Sequence, residues 1–153
     1  MSSFWDFFNN YYSFGLPSLS GKTINFNTET TLGSNKWSFH TAYNFSERAL
    51  QNEINSSLRY YPSPAKFKPC GEYISLNWRT FNTEQSGQIV GDSALGFYSG
   101  KKIYLTSSRV DSDMSPPEYK SANLYMSAQL GAEYRFKSKD IGSNIGINMG
   151  VEF

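Results

Sequence analysis

From residue 21 to the C-terminus, hydrophobic and polar positions alternate with a period of two. Ile24, Phe26, Thr28, Thr30 and Leu32 form a first column. After Gly33-Ser34-Asn35-Lys36 the pattern resumes at Trp37, Phe39, Thr41, Tyr43 and Phe45. Further columns run through Leu50, Asn52, Ile54, Ser56, Leu58 and Tyr60, through Ile74, Leu76, Trp78 and Thr80, and through Ile89, Gly91, Ser93, Leu95 and Phe97. Ile103, Leu105 and Ser107 follow, then Leu124, Met126, Ala128, Leu130, Ala132, Tyr134 and Phe136, and last Ile141, Ser143, Ile145, Ile147, Met149, Val151 and Phe153. Successive side chains of a strand point to opposite faces, so the pattern predicts eight strands separated by turns. Residues 47–58 also carry helical propensity. Soluble strands average about 5–6 residues, whereas a tilted strand crossing a bilayer needs about 9–11, and several of these reach the second length. Residues 3–14 have a different period. Phe4, Trp5, Phe7, Phe8, Tyr11, Tyr12 and Phe14 fill half of a helical wheel, Ser3-x-x-Asp6 matches a capping box, and Gly15 with Pro17 stops the segment. An N-terminal amphipathic helix and linker over 1–20 followed by strands over 21–153 is therefore expected.

Charge sharpens the pattern. The eight columns hold 42 positions and none is charged, so the acids and bases of the strands lie in the opposite columns. Those columns carry Glu29, Glu53, Arg59, Arg79, Asp92, Glu133, Arg135 and Glu152, together with His40 and several asparagines. A Lys or Arg facing lipid costs about 2–4 kcal/mol at the bilayer midplane. The uncharged flank is accordingly assigned to lipid and the charged one to a narrow lumen filled with side chains. There Glu53, Arg59, Arg79, Asp92, Glu133, Arg135 and Glu152 are expected to form a network. With both termini at one end, Trp37, Tyr60, Tyr61, Tyr73, Phe97, Tyr98, Tyr134 and Phe136 fall toward the far rim. Phe26, Tyr43, Phe45, Trp78, Phe81 and Phe153 fall toward the near one, which makes two aromatic girdles. The far connections would hold Lys36, Lys66, Lys68, Lys101, Lys102, Lys137 and Lys139, a basic rim suited to lipid phosphate.

Composition narrows the classes. Charged residues are 18% against about 25% in an average soluble domain, while aromatics reach 17% and mean hydropathy is −0.51. No run of 18 apolar residues exists to form a transmembrane helix. A net charge of +1 offers no reason to expect nucleic acid. Cys70 is the single cysteine and His40 the single histidine, which excludes an intramolecular disulfide and multi-cysteine or multi-histidine metal centres. No cofactor is expected. The N-terminus lacks the basic region of a signal peptide, so either the protein stays in the compartment of its synthesis or Met1 has been added to a mature chain, and the strand pattern favours the second.

The tail Ile145-x-Ile147-x-Met149-x-Val151-x-Phe153 resembles the assembly signal of bacterial outer-membrane barrels. The span Gly21–Phe153 resembles the small eight-stranded OmpA/OmpX-like class, and Leu58-Arg59-Tyr60-Tyr61-Pro62-Ser63-Pro64 with Gly71-Glu72-Tyr73 is similar to small barrels of Bacteroidota. The resemblance implies an all-β fold, a closed antiparallel eight-stranded transmembrane barrel. It implies a place in the outer membrane, with lipopolysaccharide and the barrel-assembly machinery as partners. The same tail also fits the looser signal of organelle outer-membrane barrels.

The class spans adhesins, receptors, lipid A-modifying enzymes and structural proteins. Lipid A palmitoyltransferases also join an amphipathic helix to eight strands, and barrel deacylases use a His and a Ser, for which Ser38, His40 and Asp92 are the candidates here. Adhesins extend long loops, and only 62–71 is long on the far side of this chain. Residues 110–120 lack the spacing of a calcium loop. A structural or accessory subunit of a larger outer-membrane assembly fits best, with Gly91, Ser93, Ala128 and Ala132 allowing close packing on the lipid flank. A soluble lipocalin-like barrel would instead require an apolar lumen.

Overall fold

A computed structural model describes residues 8–15, 23–46, 51–64, 69–105 and 123–152. The described residues are all-β, and every strand pair among them is antiparallel. Its strands are β1 Phe8–Gly15, β2 Thr23–Leu32, β3 Ser34–Ser46, β4 Gln51–Tyr60, β5 Gly71–Gln85, β6 Gln88–Tyr104, β7 Asn123–Arg135 and β8 Asp140–Glu152. Each strand pairs with the next in sequence, so β2 to β8 make one continuous, strongly curved sheet. β1 lies along β2 from Phe8↔Leu32 to Phe14↔Phe26 and meets β8 at Ser13↔Glu152, Phe14↔Val151 and Gly15↔Gly150. The curvature is deep enough for Lys102 of β6 to reach Glu29 of β2 across the enclosed side.

Two expectations are corrected. The helix over 3–14 is not formed in its described part, because residues 8–15 are β1; residues 1–7 lie outside the described residues. Aromatic side chains suit a pleated surface as well as a helical face. An unpaired β2 edge also supplies hydrogen bonds that an isolated helix does not use. The second correction concerns 89–107, expected as two strands around a loop at 98–102. β6 instead runs unbroken from Gln88 to Tyr104. Ser99-Gly100-Lys101-Lys102 has turn composition, yet Gly100 pairs with Tyr73 and Gln129 on either side, and Lys102 with Gly71 and Ser127. Glycine is needed at 100 because a Cβ there would lie 2.6 Å from the Tyr73 ring and 2.7 Å from the Ala128 carbonyl oxygen. Of residues 47–58, whose helical propensity competes, 51–58 are strand and 47–50 lie outside the described residues.

Merging two strands and gaining β1 exchanges the ends of several loops. The β5–β6 connection is the two-residue turn Ser86-Gly87, with φ 54° and 77°, the left-handed pair a tight hairpin requires. It shares an end with the 47–50 connection and with the turn 136–139, where Lys139 has φ 55°. The connections 61–70 and 105–122 lie at the opposite end with the start of β1 and the end of β8. The basic rim therefore divides. Lys36 and Lys101 belong to the end of the longer connections, Lys137 and Lys139 to the other, and Lys66 and Lys68 lie outside the described residues.

The exposed flank carries the uncharged columns. Phe39, Tyr43, Ile54, Leu58, Leu76, Trp78, Leu95, Phe97, Leu130 and Tyr134 are all exposed, and on β8 Ile141, Ile145 and Ile147 reach 78%, 71% and 69%. The enclosed side is polar: Asn27, Glu29, Ser38, His40, Ser57, Arg59, Ser75, Asn77, Lys102, Ser127, Glu133 and Glu152 are buried. This is the reverse of a water-soluble core. The girdles are redrawn by the same geometry. Tyr61, Tyr73 and Tyr98 turn inward and are buried. Outside, Trp37 stacks on Tyr60 at one end, 4.8 Å between centroids, while Phe136 meets Trp78 at 5.4 Å and Tyr134 at 5.5 Å at the other.

Candidate functional site

The enclosed side holds two charge clusters, each built by residues that alternation sends inward from several strands. In the first, Glu29 (β2) accepts hydrogen bonds on Oε1 from Ser38 Oγ at 2.6 Å and from the Tyr61 hydroxyl at 2.9 Å, with Arg59 Nη1 at 3.5 Å. Lys102 Nζ donates to Glu29 Oε2 at 2.8 Å and to Glu152 Oε2 at 2.6 Å, and Tyr104 bonds the second oxygen of Glu152. The rings of Tyr104 and Tyr125 lie 5.4 and 5.3 Å from the ammonium, and the Arg59 guanidinium lies 4.7 Å over Tyr73. Two carboxylates thus face two cations, and the charge-assisted bonds compensate the loss of water around each. The cluster borders a cavity of about 10 Å³ lined also by His40, Ser127 and Asn148, about the size of one water molecule.

In the second cluster Glu133 (β7) is the centre. Arg79 Nε lies 3.1 Å from Glu133 Oε2 and a terminal guanidinium nitrogen pairs with Oε1, the two-point contact that matches a carboxylate. The Tyr98 hydroxyl donates to Glu133 at 2.7 Å and Arg135 Nε at 3.2 Å. Arg79 also reaches Glu53 at 3.1 Å and covers the Phe81 ring at 4.2 Å. Tyr98 can lie this close to the sheet because Gly131 and Gly96 leave room. A Cβ on Gly131 would sit 2.5 Å from the Tyr98 ring and 2.3 Å from the Phe97 carbonyl oxygen. Between the clusters, His40 Nδ1, Ser57 Oγ, Ser75 Oγ and both amide atoms of Asn77 bond no protein atom.

Of the residues expected in the network, Glu53, Arg79, Glu133 and Arg135 meet in the second cluster, and Arg59 and Glu152 join the first. Asp92 joins neither. Its Oδ1 accepts the backbone N–H of Ser93 at 2.7 Å and of Lys137 at 2.9 Å, tying the turn after β7 to β6. Lys102, assigned by sequence to lipid phosphate, is instead the buried link of the first cluster at 3% exposure. Lys101 is the outward neighbour and pairs with Glu72 at 3.7 Å on the exposed surface. The residues missed are Lys102 and the inward tyrosines; Glu29, placed on the inward flank by parity, is absent from the expected network. One signal was present: the columns at 89–97 and 103–107 share odd parity, as one unbroken strand demands, and that parity sends Lys102 inward.

Ser38, His40 and Asp92 are not assembled. Ser38 is bonded to Glu29, whereas Asp92 lies near the level of Asn44 and Glu53, six residues along the sheet from Ser38. The apolar lumen that a lipocalin-like barrel requires is not found among the described residues. Ile145, Ile147, Met149 and Val151 share the outward column of β8, and Phe153 lies outside the described residues. No family model matches the chain, and neither the curated proteins nor the solved structures compared with it include a match.

Proposed function

We propose that the chain is a closed eight-stranded integral barrel of a bacterial outer membrane, its lumen filled, serving as a structural or accessory subunit of an outer-membrane assembly. The observation that carries this reading is the inversion of the sheet. The exposed flank carries the uncharged columns of β2 to β8, with the charged pair Glu72–Lys101 near one end, while Glu29, Arg59, Lys102, Glu133 and Glu152 are buried on the other side. In water such a flank is an aggregation surface; in hydrocarbon it is the required one. A lumen occupied by paired charges and tyrosines leaves no open pore. Short turns lie on the periplasmic side of such barrels and longer loops outside. That rule orients the 61–70 and 105–122 connections outward, with Lys36 and Lys101 toward lipopolysaccharide phosphate. Ala128 and Ala132 are exposed on β7 and leave the flank shallow enough for a neighbouring barrel to pack closely.

The test is migration on a denaturing gel. The unheated chain, folded in detergent, runs faster than the boiled chain if a closed barrel resists the detergent. Equal migration, together with solubility in the absence of detergent, overturns the membrane reading. Purification in mild detergent with a stoichiometric partner supports the accessory role, and a monodisperse chain alone counts against it.

A further inference from the structure

One feature of the exposed flank is neither flat nor uniformly apolar. Beside the turn that follows β7, an open groove of about 360 Å³ is lined by Thr80, Gly91, Asp92, Ser93, Phe136 and Lys137. Its floor is low because Thr80 and Ser93 face each other across the β5–β6 pair, their hydroxyls 3.5 Å apart, and Gly91 adds no side chain. The wall is held in place. The Phe136 N–H donates to the Ser93 carbonyl at 2.9 Å, and Asp92 binds the backbone N–H of Lys137.

We propose that this groove binds the headgroup of a zwitterionic phospholipid of the phosphoethanolamine class. The inference rests on the membrane reading above. Charge complementarity selects the occupant: Lys137 and Asp92 both line the groove, a cation for the phosphate and an anion for the ammonium of such a head. Two hydroxyls, Thr80 and Ser93, add hydrogen-bonding groups for phosphate oxygens. Depth is set independently. Trp78, Tyr134 and Phe136 form the aromatic rim at this end of the sheet, and such rims lie at headgroup level. The Phe136 ring is placed to meet the start of an acyl chain.

The experiment uses the folded full chain in a non-ionic detergent, titrated with short-chain lipids carrying phosphoethanolamine, phosphocholine or phosphoglycerol heads, and followed by native mass spectrometry. One phosphoethanolamine lipid is retained per chain, about tenfold more tightly than phosphoglycerol, because the anionic head lacks a partner for Asp92. Lys137→Gln weakens retention about tenfold and Asp92→Asn, which keeps the oxygen that caps the turn, removes the preference over phosphoglycerol. Ser93→Leu fills the floor and abolishes binding. Equal retention of the three headgroups by the unaltered chain overturns the proposal, as does undiminished binding by Lys137→Gln. Failure of the barrel itself is read separately, from gel migration of the same sample.

Discussion

The two interior clusters solve one problem at different depths. Around Lys102 the charges are sealed: Glu29, Lys102 and Glu152 are each 3% exposed or less. Around Arg79 the seal is partial, with Arg135 at 35% side-chain exposure and Glu53 at 29%. In the first cluster Lys102 joins both carboxylates; without it Glu29 keeps Arg59, Ser38 and Tyr61, whereas Glu152 keeps the Tyr104 hydroxyl. In the second, Glu133 is shared by Arg79, Arg135 and Tyr98, so the loss of one donor leaves others. Burial and redundancy, rather than the number of ion pairs, should therefore decide how much each charge contributes to stability.

Substitutions rank this difference. Lys102→Met takes the cation from Glu152 and leaves Glu29 with Arg59, and the expected cost is about 3–5 kcal/mol, read from the urea midpoint of tryptophan fluorescence in micelles. Adding Glu152→Gln recovers part of that loss by removing one buried charge. If both variants unfold where the parent does, the first cluster is not sealed. Gly131→Ala acts on the second cluster through packing. Its methyl collides with the Phe97 carbonyl and the Tyr98 ring, and about 1–3 kcal/mol of overpacking is expected by the same measurement. The smallest effect belongs to Arg135→Gln. Half-open and backed by Arg79, it should cost no more than about 1 kcal/mol, and less at high salt. A loss as large as that of Lys102→Met would erase the distinction between the clusters.

The contrast also shows what was legible in advance. Arg79 and Glu133 sit inside strands, Glu53 and Arg135 near strand ends, and all four fall opposite columns that the alternation marks, so their common side follows from parity. Lys102 lies in a Gly-Lys-Lys segment with the composition of a turn, and turn composition competed with alternation there. The N-terminal segment failed for a related reason. Its aromatics fill half of a helical wheel but fall at both parities of a strand, and the hydrogen bonds that favour the strand come from β2. The lysine rim then fell with the strand count, since one merged and one added strand exchange the ends to which loops belong.

Alternation by itself determined which flank of each strand is largely free of charge, with Glu72 and Lys101 the outward pair it passes over, because a period of two is a local property that each strand carries without its partners. It also determined that the chain beyond residue 21 is built on strands. The tertiary structure decided where strands continue, which end each turn occupies, and which charges meet. Lys102 and Glu29 are 73 residues apart, and only the curvature and stagger of the paired sheet bring them within a hydrogen bond. Side-chain direction is written in each residue's neighbours along the chain, whereas hydrogen-bond partners and facing walls are supplied by segments far away in it.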